Sequence, residues 1–226
     1  MTVSIVFITM IANCAYSVLA PFLPLDFERK GISNTMTGYI FAIYSVAVVI
    51  VSPFVGPLMQ KLGRRAVVLI GMMLMGVAFI LFGAISSITN KNVFIAAALS
   101  LRFLQGLASA IVQVTCYSVA TNFYPDRKNT VIGILEASQG LGKVMGPLLG
   151  TAFYSIAGYD FMLYAFGSLF MLISFFIPCL MPKSIDKVIK QGANLQDSLN
   201  VSGHFAYQRR ISNHDETFNT SMQHTR

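Results

Sequence analysis

At 226 residues, the chain is 55% hydrophobic and only 11% charged. Soluble domains carry about 25% charged residues, so most of this surface is built for lipid rather than water. The net charge of +7 does not point to nucleic acid, because most basic residues sit in short segments between apolar runs, where they act as topology signals.

Residues 3–24 form the first apolar run. It has no basic n-region, it outruns a signal h-region, and Pro21 and Pro24 stand where small cleavage-site residues would be. It is therefore expected to remain as a membrane helix. Asn13, Tyr16 and Ser17 form a weakly polar patch on it, since positions three and four apart share a face. A polar loop over 25–35 follows, with Ser33 or Asn34 as the cap of a second helix over about 36–60. The third run covers about 66–87, Lys91–Val93 is expected as a brief turn, and the fourth run covers about 92–118. Pro125 breaks the chain in a basic loop over 122–129. The fifth run spans about 129–155 and the sixth 160–181. Each run is near the ~20 residues that cross a hydrocarbon core, and helices are the spanning option for runs of this kind. The expected fold is all-α: one six-helix transmembrane domain over 1–181, then a flexible polar cytoplasmic tail over 182–226.

Lysine and arginine set the orientation. One set of loops, with the start of the tail, holds Lys61, Arg64, Arg65, Arg127, Lys128, Lys183, Lys187 and Lys190; the opposite loops hold Arg29, Lys30 and Lys91. Both termini are thus expected on the cytoplasmic side. The tail carries a short basophilic kinase match at Arg209–Ser212 and two formal sequons at Asn200 and Asn219, which a cytosolic tail leaves unglycosylated. Cys14, Cys116 and Cys179 lie far apart in apolar runs, and His204, His214 and His224 lie in the tail. No disulfide framework, metal site or cofactor is implied.

Three ionisable residues fall within the expected spans: Arg102, Glu136 and Lys143. Each costs about 2.5–3.5 kcal/mol at a helix centre on insertion scales, so such groups face a cavity or a partner. Glu136 and Lys143 are two turns apart and within about 20° of each other around the helix, with Gly140 between them, so both are candidates to line one cavity. The competing reading for Lys143 is snorkelling from a helix end. In the fourth run, Arg102, Ser109 and Gln113 share a stripe, with Gln105 and Cys116 at its margins. Such a stripe suggests a wet pathway or proton relay; the alternative is an Arg102–Glu136 pair that only locks helices together. The spans hold no nucleophile–base pair, so an enzyme is not expected.

The fifth run has the spacing G-x8-G-x3-G-P-x2-G at Gly133, Gly142, Gly146, Pro147 and Gly150. Glycine every fourth residue lets membrane helices approach closely. Pro147 removes a backbone donor and is expected to bend the helix. Gly142 lies about 120° around the helix from Glu136, so a packing face and a polar face are separate.

These residues resemble the major facilitator superfamily. The glycine spacing is similar to the fifth-helix signature of its antiporter branches, with Thr151 where a second terminal glycine is usual. Arg102-Phe103-Leu104-Gln105-Gly106 resembles the fourth-helix R-x-x-Q-G motif. Gly56 to Arg65, with Gly63, Arg64 and Arg65 at its end, resembles the loop motif between helices two and three, with Gln60 in place of the family aspartate. Within the superfamily, Ala20–Pro24, Glu28–Gly31, Ser33–Thr35, Leu135-Glu136 and Ala157–Tyr159 resemble the polyamine-type branch of the vesicular amine transporters. Ala12-Asn13 lacks the acid that precedes this asparagine in the monoamine branch.

The resemblance implies a multi-pass protein of vesicle, endomembrane or plasma membrane that exchanges protons for small organic cations such as polyamines. Glu136 would attract the cation or take the proton, and Arg102 would tune it. The superfamily works as two six-helix halves, so six spans imply either a shortened product or a chain that acts with a second half. Two other readings remain: a six-helix membrane protein that binds another membrane protein without transporting, and a facilitator for another small solute or drug.

Overall fold

The computed structural model describes the backbone of residues 2–181 and the side chains of 3–177 and Met181. The tail, with the Arg209–Ser212 match and both sequons, lies outside the described residues.

Five helices follow one another: α1 (Thr2–Arg29), α2 (Asn34–Leu62), α3 (Arg64–Ile85), α4 (Lys91–Phe123) and α5 (Lys128–Leu180), with a single 3₁₀ turn, Pro125–Arg127, before the last. There is no strand among the described residues. All five helices are long and apolar enough to cross a membrane, and the protein is an integral membrane protein.

α5 is 53 residues long and would measure about 80 Å if straight. It is not straight. Ala157 and Gly158 have non-helical dihedrals, and Gly158 sits at φ 84°, ψ −166°. That region is open essentially to glycine alone. Phe153, before the break, meets Phe166, after it, with ring centroids 5.4 Å apart. Residues thirteen apart on one helix would be about 20 Å distant, so the two arms of α5, residues 128–156 and 159–180, fold back on each other. Six membrane-length rods result. The break lies at the expected gap between the fifth and sixth runs, not at Pro147, which keeps helical dihedrals around it.

Helix ends differ from the sequence expectation in three places, one of them the end of α4, which runs to Phe123 rather than about 118. α1 continues through Leu25–Arg29, because Phe27 is buried against the Phe94 ring, with centroids 5.3 Å apart. Lys91–Val93 is the first turn of α4 rather than a loop, because the Asn90 side chain caps it through the Asn92 amide at 3.1 Å. Ser33 caps α2, accepting from the Met36 amide at 3.4 Å.

Small residues set the helix crossings. Lipid supplies no hydrophobic drive for association, so close backbone approach and van der Waals contact must provide it. A methyl added at Gly142 would meet the Met10 carbonyl, at Gly146 the Ser17 hydroxyl, and at Gly150 the Phe22 ring. The first arm of α5 therefore lies directly on α1. Gly106 of α4 lies against Tyr44 and Ala47 of α2, Gly71 of α3 against Ala108–Val112 of α4, and Gly76 of α3 against Gly167 and Met171 of α5. Phe79, Phe166 and Phe170 fill the space between α3 and the second arm of α5. Hydroxyls inside the helices bond their own backbone, as Thr9 does to Ile5 and Thr115 to Ile111, which satisfies them without water.

Candidate functional site

α1, α2, α4 and the first arm of α5 leave a cleft of about 320 Å³ between them. Helical spacing places its lining. Asn13 and Tyr16 come from successive turns of α1, Tyr44 and Val48 with Ser45 and Val49 from α2, Gln113 from α4, and Gln139 and Lys143 from α5. The Tyr16 and Tyr44 rings lie 4.7 Å apart. Gln113 donates to the Ser109 hydroxyl at 2.8 Å, and Asn13 donates to the Thr9 carbonyl at 2.9 Å, so both amides are held in place. The lining offers hydroxyls, amides and two aromatic faces around one ammonium. It suits a small polar solute with an apolar stretch. Among the described residues no group of side chains has the makings of a metal site.

Glu136 does not line this cleft. It is exposed on the face of α5 and accepts a hydrogen bond from the Tyr117 hydroxyl at 2.6 Å. Gln139, one turn on, donates to the same hydroxyl oxygen and reaches the cleft. Tyr117 and Gln139 therefore connect the acid to the cleft wall. The cavity expected to contain both Glu136 and Lys143 is lined by Lys143, with Glu136 beside it.

Arg102 lies elsewhere. It is fully buried, donates to the Gln105 side-chain oxygen at 3.3 Å, and sits over the Phe41 ring at 4.8 Å with Phe82 at 6.0 Å. Tyr117 is fifteen residues further along α4, about 22 Å away. The alternative of an Arg102–Glu136 pair that locks helices together is excluded for that reason. The single polar stripe expected on α4 is two sites: Arg102 with Gln105 towards one end, and Ser109 with Gln113 at the cleft. Cys116 is fully buried and faces neither.

The motif glycines divide in the same way. Gly142, Gly146 and Gly150 are at the α1 contact, whereas a methyl at Gly56, Gly133 or Gly140 would meet nothing within 4 Å. Gly63 forms the whole link between α2 and α3 at φ 84°, ψ 149°, a conformation that explains glycine at this position of the loop motif. Arg64 and Arg65 open α3 directly after it. Tyr44, Tyr117 and Gln139 carry no mark in the sequence. Tyrosine and glutamine in apolar helices give no periodic signal, and only their spatial neighbours distinguish them.

A family model described as Major Facilitator Superfamily matches residues 5–205. The MFS-type transporter SLC18B1 of Mus musculus is 32% identical over 158 residues, covering 70% of this chain and 34% of that protein. Its Homo sapiens counterpart is 31% identical over the same length, 70% and 35%. The multidrug resistance protein MdtG of Klebsiella pneumoniae is 28% identical over 183 residues, 74% and 42%. The chain thus spans about a third of the length of the first relatives it matches.

Proposed function

The chain belongs to the major facilitator superfamily, and from that premise we propose that it supplies the amino-terminal six-helix half of a proton-coupled antiporter for small organic cations such as polyamines. The observation that carries this reading is the polar cleft with its adjoining acid. The hydroxyls and amides of Asn13, Tyr16, Tyr44, Gln113 and Gln139 can accept ammonium groups, and the Tyr16 and Tyr44 faces suit cations on short alkyl chains. A polyamine spreads several ammonium groups along its length, so one end can reach Glu136 past Gln139 while the rest occupies the cleft.

Alternating access needs a second half to rock against, whether in the same polypeptide or another. The outer faces of α2 and of the first arm of α5, with Phe54, Leu141, Val144 and Leu148 all strongly exposed, are apolar enough to meet lipid or that half. Eight basic residues against three support cytoplasmic termini in a vesicle, endomembrane or plasma membrane. Glycan on Asn200 or Asn219 would reverse that orientation.

The test is uptake of labelled spermidine into vesicles that hold the chain with its second half, driven by an imposed proton gradient. Glu136→Gln should abolish uptake while expression persists. Normal uptake by that variant removes Glu136 from the mechanism.

One observation favours a second reading. Lys143 lines the cleft and Glu136 does not, which suits a neutral or anionic solute or a drug. Under that reading Lys143→Gln abolishes transport and Glu136→Gln spares it; under the first, Lys143→Gln leaves spermidine uptake intact or raises it.

A further inference from the structure

Three side-chain amides line the cleft, and each has its nitrogen tied within the protein. Asn13 donates to the Thr9 carbonyl at 2.9 Å, Gln113 to the Ser109 hydroxyl at 2.8 Å, and Gln139 to the Tyr117 hydroxyl. A side-chain amide carries its donors on nitrogen and its acceptor on oxygen, so tying the nitrogens leaves the oxygens for the cleft. Acceptors arranged this way favour an ammonium over an anion. The three amides are not equivalent. The Thr9 carbonyl can only accept, so Asn13 is fixed in its sense. Gln113 is held by an aliphatic hydroxyl one turn away on its own helix. Gln139 is held by a phenol whose own proton goes to an acid, since Tyr117 donates to Glu136 at 2.6 Å. Helical spacing builds this link. Glu136 and Gln139 are three residues apart and share a face of α5, and Tyr117 of α4 reaches both. Gln139 is buried, with the phenol on one side and the cleft on the other.

Charge sets the direction of these bonds. An ionised carboxylate only accepts, so the phenol proton goes to Glu136 and the phenol oxygen accepts from the Gln139 nitrogen. We propose that Gln139 is the residue through which Glu136 controls the cleft: with Glu136 ionised, the amide oxygen serves the cleft as an ammonium acceptor, and protonation of Glu136 turns the amide over so that it offers N–H groups instead. The inference rests on the proton-coupled reading above and names the groups that join proton to cation. One proton adds to the Glu136 carboxylate, and the resulting carboxyl donates to the Tyr117 oxygen. The phenol turns its own proton to the Gln139 oxygen, which half a turn of the amide brings into place. The amide N–H groups then disfavour an ammonium, and the cation leaves. Entry of the next cation reverses the turn and releases the proton from Glu136, as reciprocity between two linked sites requires. No bond between heavy atoms changes. Tyr117 faces Glu136 from α4; Tyr16 of α1 and Tyr44 of α2 stand at the cleft, and Lys143 is two turns on along α5, also at the cleft. Glu136 is the carboxyl of this set.

The experiment reads the pH dependence of binding. Labelled spermidine is titrated onto the chain with its second half in detergent, at about pH 7.5 and at about pH 4.5, the latter within the range where carboxyls take protons. Acid should weaken wild-type binding about fivefold or more. Gln139→Leu and Tyr117→Phe should bind several-fold more weakly at neutral pH and change less than about twofold with acid; Glu136→Gln should be weak at both. Gln113→Leu, which removes an amide outside the link to the acid, should weaken binding at both pH values and keep the full acid effect. The acid-minus-neutral infrared difference spectrum should show a change in a phenol C–O band that Tyr117→Phe and Glu136→Gln each remove. A full acid effect in Gln139→Leu would mean that Glu136 meets the cation directly and would overturn the proposal, as would survival of the phenol change in Glu136→Gln or wild-type binding indifferent to pH. Wild-type binding that acid weakens, without spermidine accumulation in vesicles under a proton gradient, would overturn the proton-coupled reading instead.

Discussion

The Tyr117 hydroxyl donates to the Glu136 carboxylate across 2.6 Å and ties the C-terminal end of α4 to the first arm of α5. Gln139 donates to the same oxygen, so one phenol orients an acid and an amide at once. Tyr117→Phe removes the bridge but leaves the ring. Glu136 is exposed and water can replace its lost partner, so the fold should survive with little change in thermal unfolding. Spermidine KM should rise several-fold while the maximal rate changes less, the pattern of lost binding rather than lost chemistry. An unchanged KM would mean that Glu136 acts without this orientation.

The glycines of α5 offer an internal control. A methyl at Gly146 would fall on the Ser17 hydroxyl and within 2.8 Å of the Cys14 carbonyl and 3.0 Å of the Val18 nitrogen. Two of those three are backbone and cannot swing away. Gly146→Ala should therefore force α1 and α5 apart at a cost of about 1–3 kcal/mol, seen as lower folded yield and a lower detergent melting temperature. Gly140→Ala meets nothing, and in mid-helix alanine is better than glycine by about 1 kcal/mol, so its melting temperature should hold or rise. Equal losses at both positions would show that the spacing does not set the contact.

How much of this was legible beforehand follows from the physics of each signal. Apolar runs near the membrane thickness mark helices, and the gap between the fifth and sixth runs coincides with Gly158. Helix ends are less legible, because Phe27 lengthens α1 through a contact with Phe94, remote in sequence. The every-fourth-residue spacing of Gly142, Gly146 and Gly150 is visible in the chain, but nothing in it names α1 as the helix opposite. Helical-wheel arithmetic gives a face and not a depth. It placed Arg102, Ser109 and Gln113 on one stripe without showing that Phe41 and Phe82 enclose the first while the cleft takes the last. Asp26 follows the first apolar run in the sequence, and only the continuation of α1 to Arg29 puts it on a helix.

Gly158 and Gly63 both have φ 84° with ψ near the extended limit, −166° and 149°. This differs from the left-handed helical region, where asparagine is tolerated. Replacing either by alanine or asparagine should therefore cost about 1–3 kcal/mol, with asparagine giving no rescue. At Gly158 a methyl meets no atom within 4 Å, so the whole loss is conformational. Differential scanning measurements on the two variants should agree within error; a clear recovery with asparagine would mean that the turn relaxes to another geometry.

Arg102 separates stability from function. Its charge is buried between Phe41 and Phe82 with one hydrogen bond, to Gln105. Burying a charge costs several kcal/mol after relaxation, and replacing it by an apolar group of similar size is often neutral or stabilising. Arg102→Met should thus melt no lower than the wild type. Arg102→Lys keeps the charge but loses the flat guanidinium that lies on the rings and the fork that reaches Gln105, so it should melt lower than Arg102→Met. Transport should run the other way. The lysine variant keeps a buried cation at this position and should retain some gradient-driven spermidine accumulation; the methionine variant should retain none. A methionine variant that is both unstable and inactive would assign Arg102 to packing alone, and one that accumulates spermidine normally would take the residue out of the pathway.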